Sequence, residues 1–498
     1  MWPFSRAPQE LRPGTVFLTN TLGGQKQAFV PLRPGQAAMY SCGPTVYSRA
    51  HIGNLRPYVM SDTLARVLAQ NGIRVRRVIN ITDVGHLTGD NEGDANQGED
   101  RMEKSARESG RNAPDIADHF TRLFLEDIEA LNISPDAILF PRATQYIPEQ
   151  IAMVQALEAE GHTYRTHDGI YFDVSTFPGY GKLGNIPQEH LKNGTASTVA
   201  DRIALSGRGR IKENAEKRNP ADFALWKFSP AGVVRQQEWP SPWGRGFPGW
   251  HLECSAMSKA LLGSELDIHT GGMDHIPVHH NNEIAQSECA NHSAFVRYWL
   301  HSAFLTIDEE RIGKSVGNAL YLSDIVERGY HPLALRYFFL QANYRTPLSF
   351  SWDALAASGE ALSRLWRIAS AAKKDANGIT AYGDASERIR ALAADDLGTP
   401  RVIAALWEIV RDEDLSHKKI WGAIETAEAV LGLSLTNPPH APEVKTPPIP
   451  EEIRKLAQER EEARAAKDFA RADELRIHIE KSGYAVEDTA GGPRIHRK

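Results

Sequence analysis

The amino-acid sequence predicts an α/β fold, with a Rossmann-like parallel-sheet domain, a connective insertion and an all-α C-terminal bundle. A strand, a helix and a second strand follow one another between residues 39 and 81, which is typical of a βαβ unit in a parallel sheet. The block at 163–248 is rich in turns and aromatic residues and interrupts this pattern. From about residue 350 onward the pattern is almost entirely helical. Because parallel sheets bind ligands at the carboxyl ends of their strands, functional residues are expected there.

The first half of the chain alternates β-prone and helical segments. Strands are predicted over 28–30, 39–42, 75–81 and 304–307, and helices over 52–69 and within 114–162. Residues 85–112 are rich in Gly, Asp, Asn and Glu, and they predict an exposed loop. The acidic residues of this loop lack the spacing of an EF-hand, so a solvated acidic loop is favoured over a calcium site.

The second half is predicted to be helical, with helices over 354–372, 386–394, 400–410 and 423–431. A proline-rich segment at 437–450 indicates a stiff linker. Beyond it, two charged segments over 451–467 and 470–482 predict a helical hairpin. Residues 451–498 carry eleven Lys and Arg and eleven Asp and Glu, so this segment is neutral overall, although 494–498 form a basic tip.

Composition and charge exclude several classes of protein. The 498 residues include 57 Lys and Arg against 63 Asp and Glu, and the net charge of −6 excludes a strongly basic nucleic-acid coat but not a local basic face. Three cysteines exclude a disulfide framework and favour a reducing compartment. No signal peptide or apolar run of ~20 residues is apparent, so we expect a cytoplasmic protein with no membrane partner.

Cys42, Cys254, His279 and Glu283 form the first set of chemically informative residues. Thiolate, imidazole and carboxylate groups are all zinc ligands. His279 and Glu283 are four residues apart, so on a helix they project from one face. The long spacing between the cysteines is a weak signal by itself. A small buried hydrophobe is the ordinary interpretation of a cysteine, and we apply it to Cys289.

The remaining histidines of this region are His275, His280 and His292. A single histidine is more often a satisfied core or surface residue than a metal ligand. We therefore interpret these three as ordinary core or surface residues.

Two further motifs suit phosphate binding. Residues 44–54 follow a strand and open a helix, and His51, Gly53 and Asn54 lie where backbone N–H groups can contact an anion. The alternative is a plain turn with Asn54 as a helix cap. Residues 310–318 form a short glycine-flanked loop that carries Lys314 and Ser315, for which the alternative is a solvent loop.

These motifs, in this order, resemble class I cysteinyl-tRNA synthetases. The similar segments are 39–47, 51–54, 217–227, 249–257, 267–274, 279–286, the Lys314 loop and 465–474. The resemblance covers residues from about 15 to 498. It implies an aminoacyl-tRNA ligase that activates L-cysteine with ATP to cysteinyl-adenylate and transfers the cysteinyl group to tRNA(Cys), forming AMP and pyrophosphate.

The resemblance also assigns the amino-acid pocket. It implies that one Zn²⁺ per chain is held by Cys42, Cys254, His279 and Glu283 and recognises the substrate thiolate. The implied pocket walls are Thr82, Trp250, His269 and Asp274. A structural core position remains an alternative for Trp250.

ATP binding, together with Mg²⁺, is implied for His51, Gly53, Asn54, Arg311, Lys314 and Ser315. Of these, His51, Asn54 and Lys314 are the expected catalytic residues. Asn54 stands where the family's ATP signature ends in a second histidine. Arg311 and Gly313 depart from the family's Lys-Met-Ser-Lys-Ser signature.

The resemblance divides the chain into expected domains. These are the first half of the catalytic domain at 15–112, an insertion at 113–248, the second catalytic half at 249–350, a helical stem-contact and anticodon-binding bundle at 351–436, the linker at 437–450 and a C-terminal hairpin with a basic tail at 451–498. The expected partners are tRNA(Cys), L-cysteine and ATP, and we expect a monomer.

Three alternatives stay open at this point. A cysteine ligase that uses a small amino-sugar would share the zinc and ATP motifs, but residues 451–498 argue against it. A catalytically silent RNA-binding paralogue would show damaged ligands or a damaged Lys314, and neither is seen. A zinc hydrolase would need an open coordination position for water, which the ligand set alone does not exclude.

Overall fold

The structure is a computed structural model that describes residues 15–85, 101–186, 216–229, 232, 235–307, 310–312, 318–439, 451–482, 484–489 and 492–497. These residues form two compact units. The larger unit comprises the described residues of 15–326 and 331–439, and the smaller comprises 327–330 with the described residues from 451 onward.

The strands are β1 (Phe17–Asn20), β2 (Gln25–Ala28), β3 (Gln36–Ser41), β4 (Arg74–Ile79), β5 (Ile138–Leu139), β6 (Thr163–Arg165), β7 (Gly169–Phe172), β8 (Phe223–Phe228), β9 (Gly246–Pro248), β10 (Leu266–Gly272), β11 (Val296–Ser302), β12 (Leu305–Ile307), β13 (Glu310–Arg311), β14 (Leu348–Phe350), β15 (Tyr484–Thr489) and β16 (Gly492–Arg497).

The α-helices are α1 (Ile52–Gln70), α2 (Arg101–Ser109), α3 (Ala113–Ala130), α4 (Ile147–Ala159), α5 (Trp250–Leu262), α6 (His279–Asn291), α7 (Leu322–Glu327), α8 (Pro332–Leu340), α9 (Trp352–Asp375), α10 (Asp384–Ala394), α11 (Thr399–Ile409), α12 (His417–Leu431), α13 (Glu451–Ala465) and α14 (Phe469–Lys481). None of them, within the described ranges, combines the length and the apolar character that crossing a bilayer requires.

A five-stranded parallel sheet organises the larger unit, with strand order β11-β10-β3-β4-β5. This confirms the predicted fold class. The strands are largely buried on both sides, as expected of a parallel sheet covered by helices. The carboxyl ends of β3, β4 and β10 lie next to one another, so the residues that follow these strands share one edge of the sheet.

The insertion contains a separate antiparallel sheet with strand order β6-β7-β8-β9. Phe172 of β7 and Phe223 and Trp226 of β8 form a buried apolar cluster with Leu157 of α4 and Leu252 of α5. Residues 113–162 precede this sheet, and they contribute β5 to the central parallel sheet. The separate sheet therefore starts at β6, later than residue 113, where the sequence analysis begins the insertion.

The helical bundle is held together by apolar residues that lie along one face of its helices. In α9 the buried positions include Leu355, Leu362, Leu365 and Ala369, which recur every three, four or seven residues and face the other helices. Trp366 joins this face and donates from its indole Nε1 to the carbonyl oxygen of Leu433 (2.8 Å). The four helices predicted in this region are present as α9 to α12.

The smaller unit contains the predicted helical hairpin, α13 and α14. It also contains a β-hairpin of β15 and β16, where the sequence analysis noted only a basic tip. Ile453, Ile479 and Tyr484 form part of its small core, so the first strand of the β-hairpin packs on the helices.

The predicted loop at 85–112 is wrong for its second part, because residues 101–109 form α2. This segment is dominated by charged and polar residues, and only Met102 and Ala106 are buried. Met102 and Ala106 are one helical turn apart. A single apolar pair in a polar segment is only a weak indication of a helix. Residues 86–100 of the predicted loop lie outside the described residues.

A buried ionic cluster surrounds Asp62 on α1. The Asp62 carboxylate accepts hydrogen bonds from Arg66 Nε (2.7 Å), Arg77 Nη1 (3.0 Å) and Arg336 Nη2 (2.7 Å). Burial alone would raise the pKa of Asp62, but Arg336, Arg66 and Arg77 hold it well below its usual range.

Arg336 extends this cluster to two helix ends. Its side chain is fully buried and also donates to the carbonyl oxygens of Leu131 (2.8 Å) and Leu431 (2.7 Å). These carbonyls follow α3 and end α12, where helices leave acceptors unpaired. One guanidinium therefore ties α1 to α3 and to the helical bundle.

Asp62→Asn is expected to lower the free energy of unfolding by ~3–5 kcal/mol at pH 7, because it leaves buried guanidinium groups without their counter-charge. The depressed pKa of Asp62 stabilises the fold above its unfolded value of about 3.9, and this contribution is lost as the pH falls further. Urea titrations at several pH values measure both effects. The control Glu126→Gln, whose carboxylate is 59% exposed, should change stability by less than about 0.5 kcal/mol.

Candidate metal centre

Four side chains from three separate parts of the fold converge at the carboxyl edge of the central sheet. Cys42 follows β3, Cys254 lies in α5, and His279 and Glu283 are one turn apart at the start of α6. Their ligand atoms all lie within 4.8 Å of one another, and all four side chains are buried. The Sγ atoms of Cys42 and Cys254 are 4.0 Å apart, and Cys42 Sγ is 3.5 Å from Glu283 Oε1.

The position of Cys42 depends on a close backbone approach. A Cβ atom on Gly43 would lie 1.5 Å from the carbonyl oxygen of Asn80, which follows β4. The Gly43 N–H instead donates to the Asn80 side-chain oxygen (2.8 Å). Glycine is therefore required beside Cys42 if the ends of β3 and β4 are to meet.

The electrostatics of this cluster suit a bound cation. Burial raises the pKa of the Cys42 thiol, and the hydrogen bond from Cys42 lowers that of Cys254. Burial would also raise the pKa of Glu283, yet His269 and His279 hold it far below its usual range. Burial opposes protonation of His279, but Cys254 and Glu283 raise its pKa to about 10.

The donor set fits zinc. His279 Nε2 is buried, lies 3.1 Å from Glu283 Oε1 and has no well-aligned hydrogen-bond partner. Two sulfurs, one imidazole nitrogen and one carboxylate oxygen form a set that zinc prefers over magnesium or calcium. Without a metal ion, the thiols and the imidazole would have to stay protonated to balance the buried negative charge of Glu283.

A second ligand set overlaps the first. Cys42, His269, His280 and Glu283 also place one ligand atom each within 4.8 Å of the others. His280 is fully buried, as the interpretation of an ordinary core histidine requires, but its Nε2 lies 3.2 Å from Cys42 Sγ. The interpretation of His280 as an ordinary core residue therefore misses its contact with the candidate centre, which no sequence pattern indicates. His275 also lies among these rings, whereas His292 is on the surface, 67% exposed.

The residues expected to form the walls of the amino-acid pocket differ in how deeply they are buried. The Trp250 ring is half-buried, with its centroid 4.8 Å from that of His279, so it borders the centre instead of filling a distant core. Thr82 is buried just beyond β4 and accepts a hydrogen bond from Asn80 (3.0 Å). His269 is fully buried behind Glu283, with its Nε2 2.9 Å from Glu283 Oε2.

Asp274 is exposed in the short 3-10 turn that follows β10. Gly272, which has no side chain, lies against Asp274 at the end of β10, because a Cβ on Gly272 would come 2.3 Å from Asp274 Oδ1. The carboxylate therefore lies at the same sheet edge as the candidate metal centre.

The expected nucleotide motif lies at the start of α1. His51 is the N-cap, and its backbone N–H donates to Asn54 Oδ1 (3.1 Å), so Asn54 does act in helix capping. A Cβ on Gly53 would lie 3.1 Å from the His51 ring and 3.7 Å from Ile312 Cβ. The Ile52 N–H donates to the carbonyl oxygen of Leu320 (2.8 Å). The two segments expected to bind ATP are therefore neighbours.

Part of the expected nucleotide site cannot be placed. Gly313, Lys314 and Ser315 lie outside the described residues. Arg311 is described through its backbone in β13, which pairs with β12.

Comparisons with known proteins find related sequences over nearly the whole chain. A family profile described as the tRNA synthetases class I (C) catalytic domain matches residues 28–360, and one described as the cysteinyl-tRNA ligase anticodon binding domain matches 446–494. The chain is 46% identical over 480 residues to the Cysteine–tRNA ligase 1 of Burkholderia lata, covering 96% of both proteins. It is 39% identical to the Cysteine–tRNA ligase of Treponema denticola, covering 95% of this chain and 98% of that protein.

Solved structures show the same fold at low sequence identity. The LeuRS of a ternary complex from Agrobacterium radiobacter has a TM-score of 0.55 at 11% identity, covering 85% of this chain and 88% of that one. The methionyl-tRNA synthetase of Mycobacterium tuberculosis has a TM-score of 0.53 at 17% identity, covering 82% of this chain and 93% of that one.

Gly43→Ala is expected to destabilise the protein by about 3 kcal/mol or more and to weaken metal binding, because the new methyl group would overlap Asn80 and displace Cys42. Thermal unfolding and the zinc content after dialysis measure the two effects. Gly383→Ala is the matched control, since a Cβ there meets nothing within 4 Å. Equal behaviour of the two variants would contradict the close approach at Gly43.

Proposed function

The chain belongs to the cysteine–tRNA ligase family, and on that premise we propose that it activates L-cysteine with ATP to cysteinyl-adenylate, transfers the cysteinyl group to tRNA(Cys), and recognises the substrate thiolate through a zinc ion. The observation that carries the zinc part is the convergence of Cys42, Cys254, His279 and Glu283 within 4.8 Å.

A zinc ion at this position would explain how the protein selects cysteine over serine. Cysteine and serine differ by one atom, and an apolar pocket would separate them by only ~1–3 kcal/mol. Zinc bound to these four residues would favour a thiolate over a neutral hydroxyl and would lower the pKa of the substrate thiol. Trp250 borders the same space, so its ring would exclude water from one side of the bound amino acid.

Activation of cysteine needs positioning more than a protein nucleophile. The cysteine carboxylate attacks the α-phosphorus of ATP, and pyrophosphate leaves. The proposed contacts are His51, Gly53 and Asn54 at the N-terminus of α1, where the positive end of the helix dipole favours a phosphate. Lys314, with Ser315 and Arg311, would follow the charge that develops on the phosphates, and Mg²⁺ would accompany ATP. The proximity of Gly53 to Ile312 supports one shared site.

The second chemical step requires tRNA. The terminal hydroxyl of the tRNA attacks the carbonyl carbon of cysteinyl-adenylate, and AMP leaves. The smaller unit, matched by an anticodon-binding profile, is the proposed anticodon reader, and the bundle of α9 to α12 is proposed to contact the stem. Because residues 451–498 are neutral overall, binding would use a local basic stripe and weaken with salt.

The test is cysteine-dependent exchange of pyrophosphate into ATP, followed by charging of total tRNA. We expect both activities with cysteine, and exchange with serine at least about a hundredfold lower, because the zinc contact adds to the limited discrimination of an apolar pocket. Exchange without charging would favour a ligase that uses a small acceptor. Zinc bound without exchange would contradict the proposed function.

Replacing one ligand separates the metal site from ordinary core packing. Cys254→Ser should lose most bound zinc and at least about a hundredfold of the cysteine-dependent exchange, because serine is a poor zinc ligand. Cys289→Ser is the matched control, since Cys289 is also a buried free thiol but lies in a different part of the core. Its zinc content and exchange rate should stay close to those of the unmodified protein. Equal zinc loss in the two variants would contradict the assignment.

A further inference from the structure

A chain of hydrogen bonds leads away from the candidate metal centre. His280 Nε2 lies 3.2 Å from Cys42 Sγ, and His280 Nδ1 lies 2.8 Å from His301 Nε2. His301 Nδ1 then lies 2.7 Å from Thr21 Oγ1. His280 and His301 are buried, and Thr21, just beyond β1, is half-buried. We call these three residues the relay.

The direction of every hydrogen bond in the relay follows from the end at Cys42. A ligating thiolate only accepts, so His280 Nε2 carries the proton that faces Cys42. A neutral imidazole that donates from one nitrogen accepts at the other, so His280 Nδ1 accepts from His301 Nε2. His301 Nδ1 then accepts from the Thr21 hydroxyl. Three N–H or O–H groups therefore point the same way, towards the sulfur.

Neutral rings are favoured at both steps. Burial, together with nearby His275 and His269, holds the pKa of His301 well below its ordinary value. The Trp299 ring stacks on His301 at an interplanar angle of 4°, and it also contacts His280. The surroundings of the relay thus restrict both the charge and the orientation of its rings.

We propose that Thr21, His301 and His280 are positioning residues that hold an N–H group on the Cys42 sulfur, and so set how firmly the centre holds its metal and accepts a further thiolate. The proposal rests on the proposed function, because it concerns the same centre. Two thiolates and one carboxylate on a dication already leave excess negative charge, and the substrate thiolate would add more. An N–H donor on Cys42 offsets part of that charge, as outer hydrogen bonds to metal ligands generally do.

Two other ligands have an outer partner of their own. His279 Nδ1 lies 2.7 Å from His251 Nδ1, and Glu283 Oε2 lies 2.9 Å from His269 Nε2. The relay at Cys42 extends further, because it crosses β11 and reaches the loop beyond β1. Its far end can therefore be altered without touching any ligand.

The test uses Thr21→Val, which removes the hydroxyl at nearly constant volume, and Thr21→Ser, which keeps it. Loss of zinc to a chelator should be several-fold faster in Thr21→Val, and about 10–100-fold faster in His301→Leu. The thiolate-to-metal absorption band of the cobalt-substituted protein should shift in both. The KM for cysteine should rise while the KM for ATP stays unchanged. Thr21→Ser should restore all of these values.

Unchanged zinc release and an unchanged cobalt spectrum in Thr21→Val and His301→Leu would overturn the proposal. If His301→Leu fails to fold, the Thr21 pair decides alone. The metal readouts do not need catalysis, so they test the relay even if cysteine-dependent exchange is absent. An unmodified protein that binds neither zinc nor cobalt would overturn the relay together with the metal site.

Discussion

The close contact between Gly43 and Asn80 is the constraint on which the site depends. Because Gly43 has no side chain, the ends of β3 and β4 can lie in contact, and Cys42 is then placed beside α5 and α6. The four candidate ligands span residues 42 to 283, and they meet only because parallel strands deliver their following residues to one edge. Since Asn80 also donates to Thr82, the same contact orders the ligand centre and one expected wall of the pocket.

α1 connects this site to the rest of the larger unit. Its N-terminus carries His51 and Gly53, and its buried Asp62 joins the ionic cluster with Arg336. Between them, the fully buried side chain of Arg56 donates to the carbonyl oxygens of Ala303 and Phe304 (both 2.9 Å), just before β12. One helix therefore braces the expected nucleotide site, the strand that leads to the Lys314 loop, and the helical bundle.

Those parts of the fold that a residue type or a repeating apolar spacing encodes could be predicted from the sequence. The alternation of strand and helix predicts the parallel sheet, and the apolar spacing predicts the helices of the bundle. The residue types alone mark Cys42, Cys254, His279 and Glu283 as candidate ligands, and these four side chains do lie together. Prediction from the sequence failed where tertiary contacts decide, as in α2, which is held by the buried pair Met102 and Ala106. His280 follows His279 directly, and nothing local distinguishes them. Only the tertiary structure shows that His280 contacts Cys42 with one ring nitrogen and, with the other, begins a chain that leads through His301 to Thr21.

The placement of the ligands on α6 has a consequence for the order of assembly. His279 and Glu283 are one turn apart, so local helix geometry alone forms a bidentate half-site. The two sulfurs lie elsewhere in the fold, after β3 and in α5, so they would complete the set only once those elements have docked. Capture of the ion by all four groups would therefore report on completed tertiary folding, and metal-release kinetics could serve as a probe of how often these elements separate.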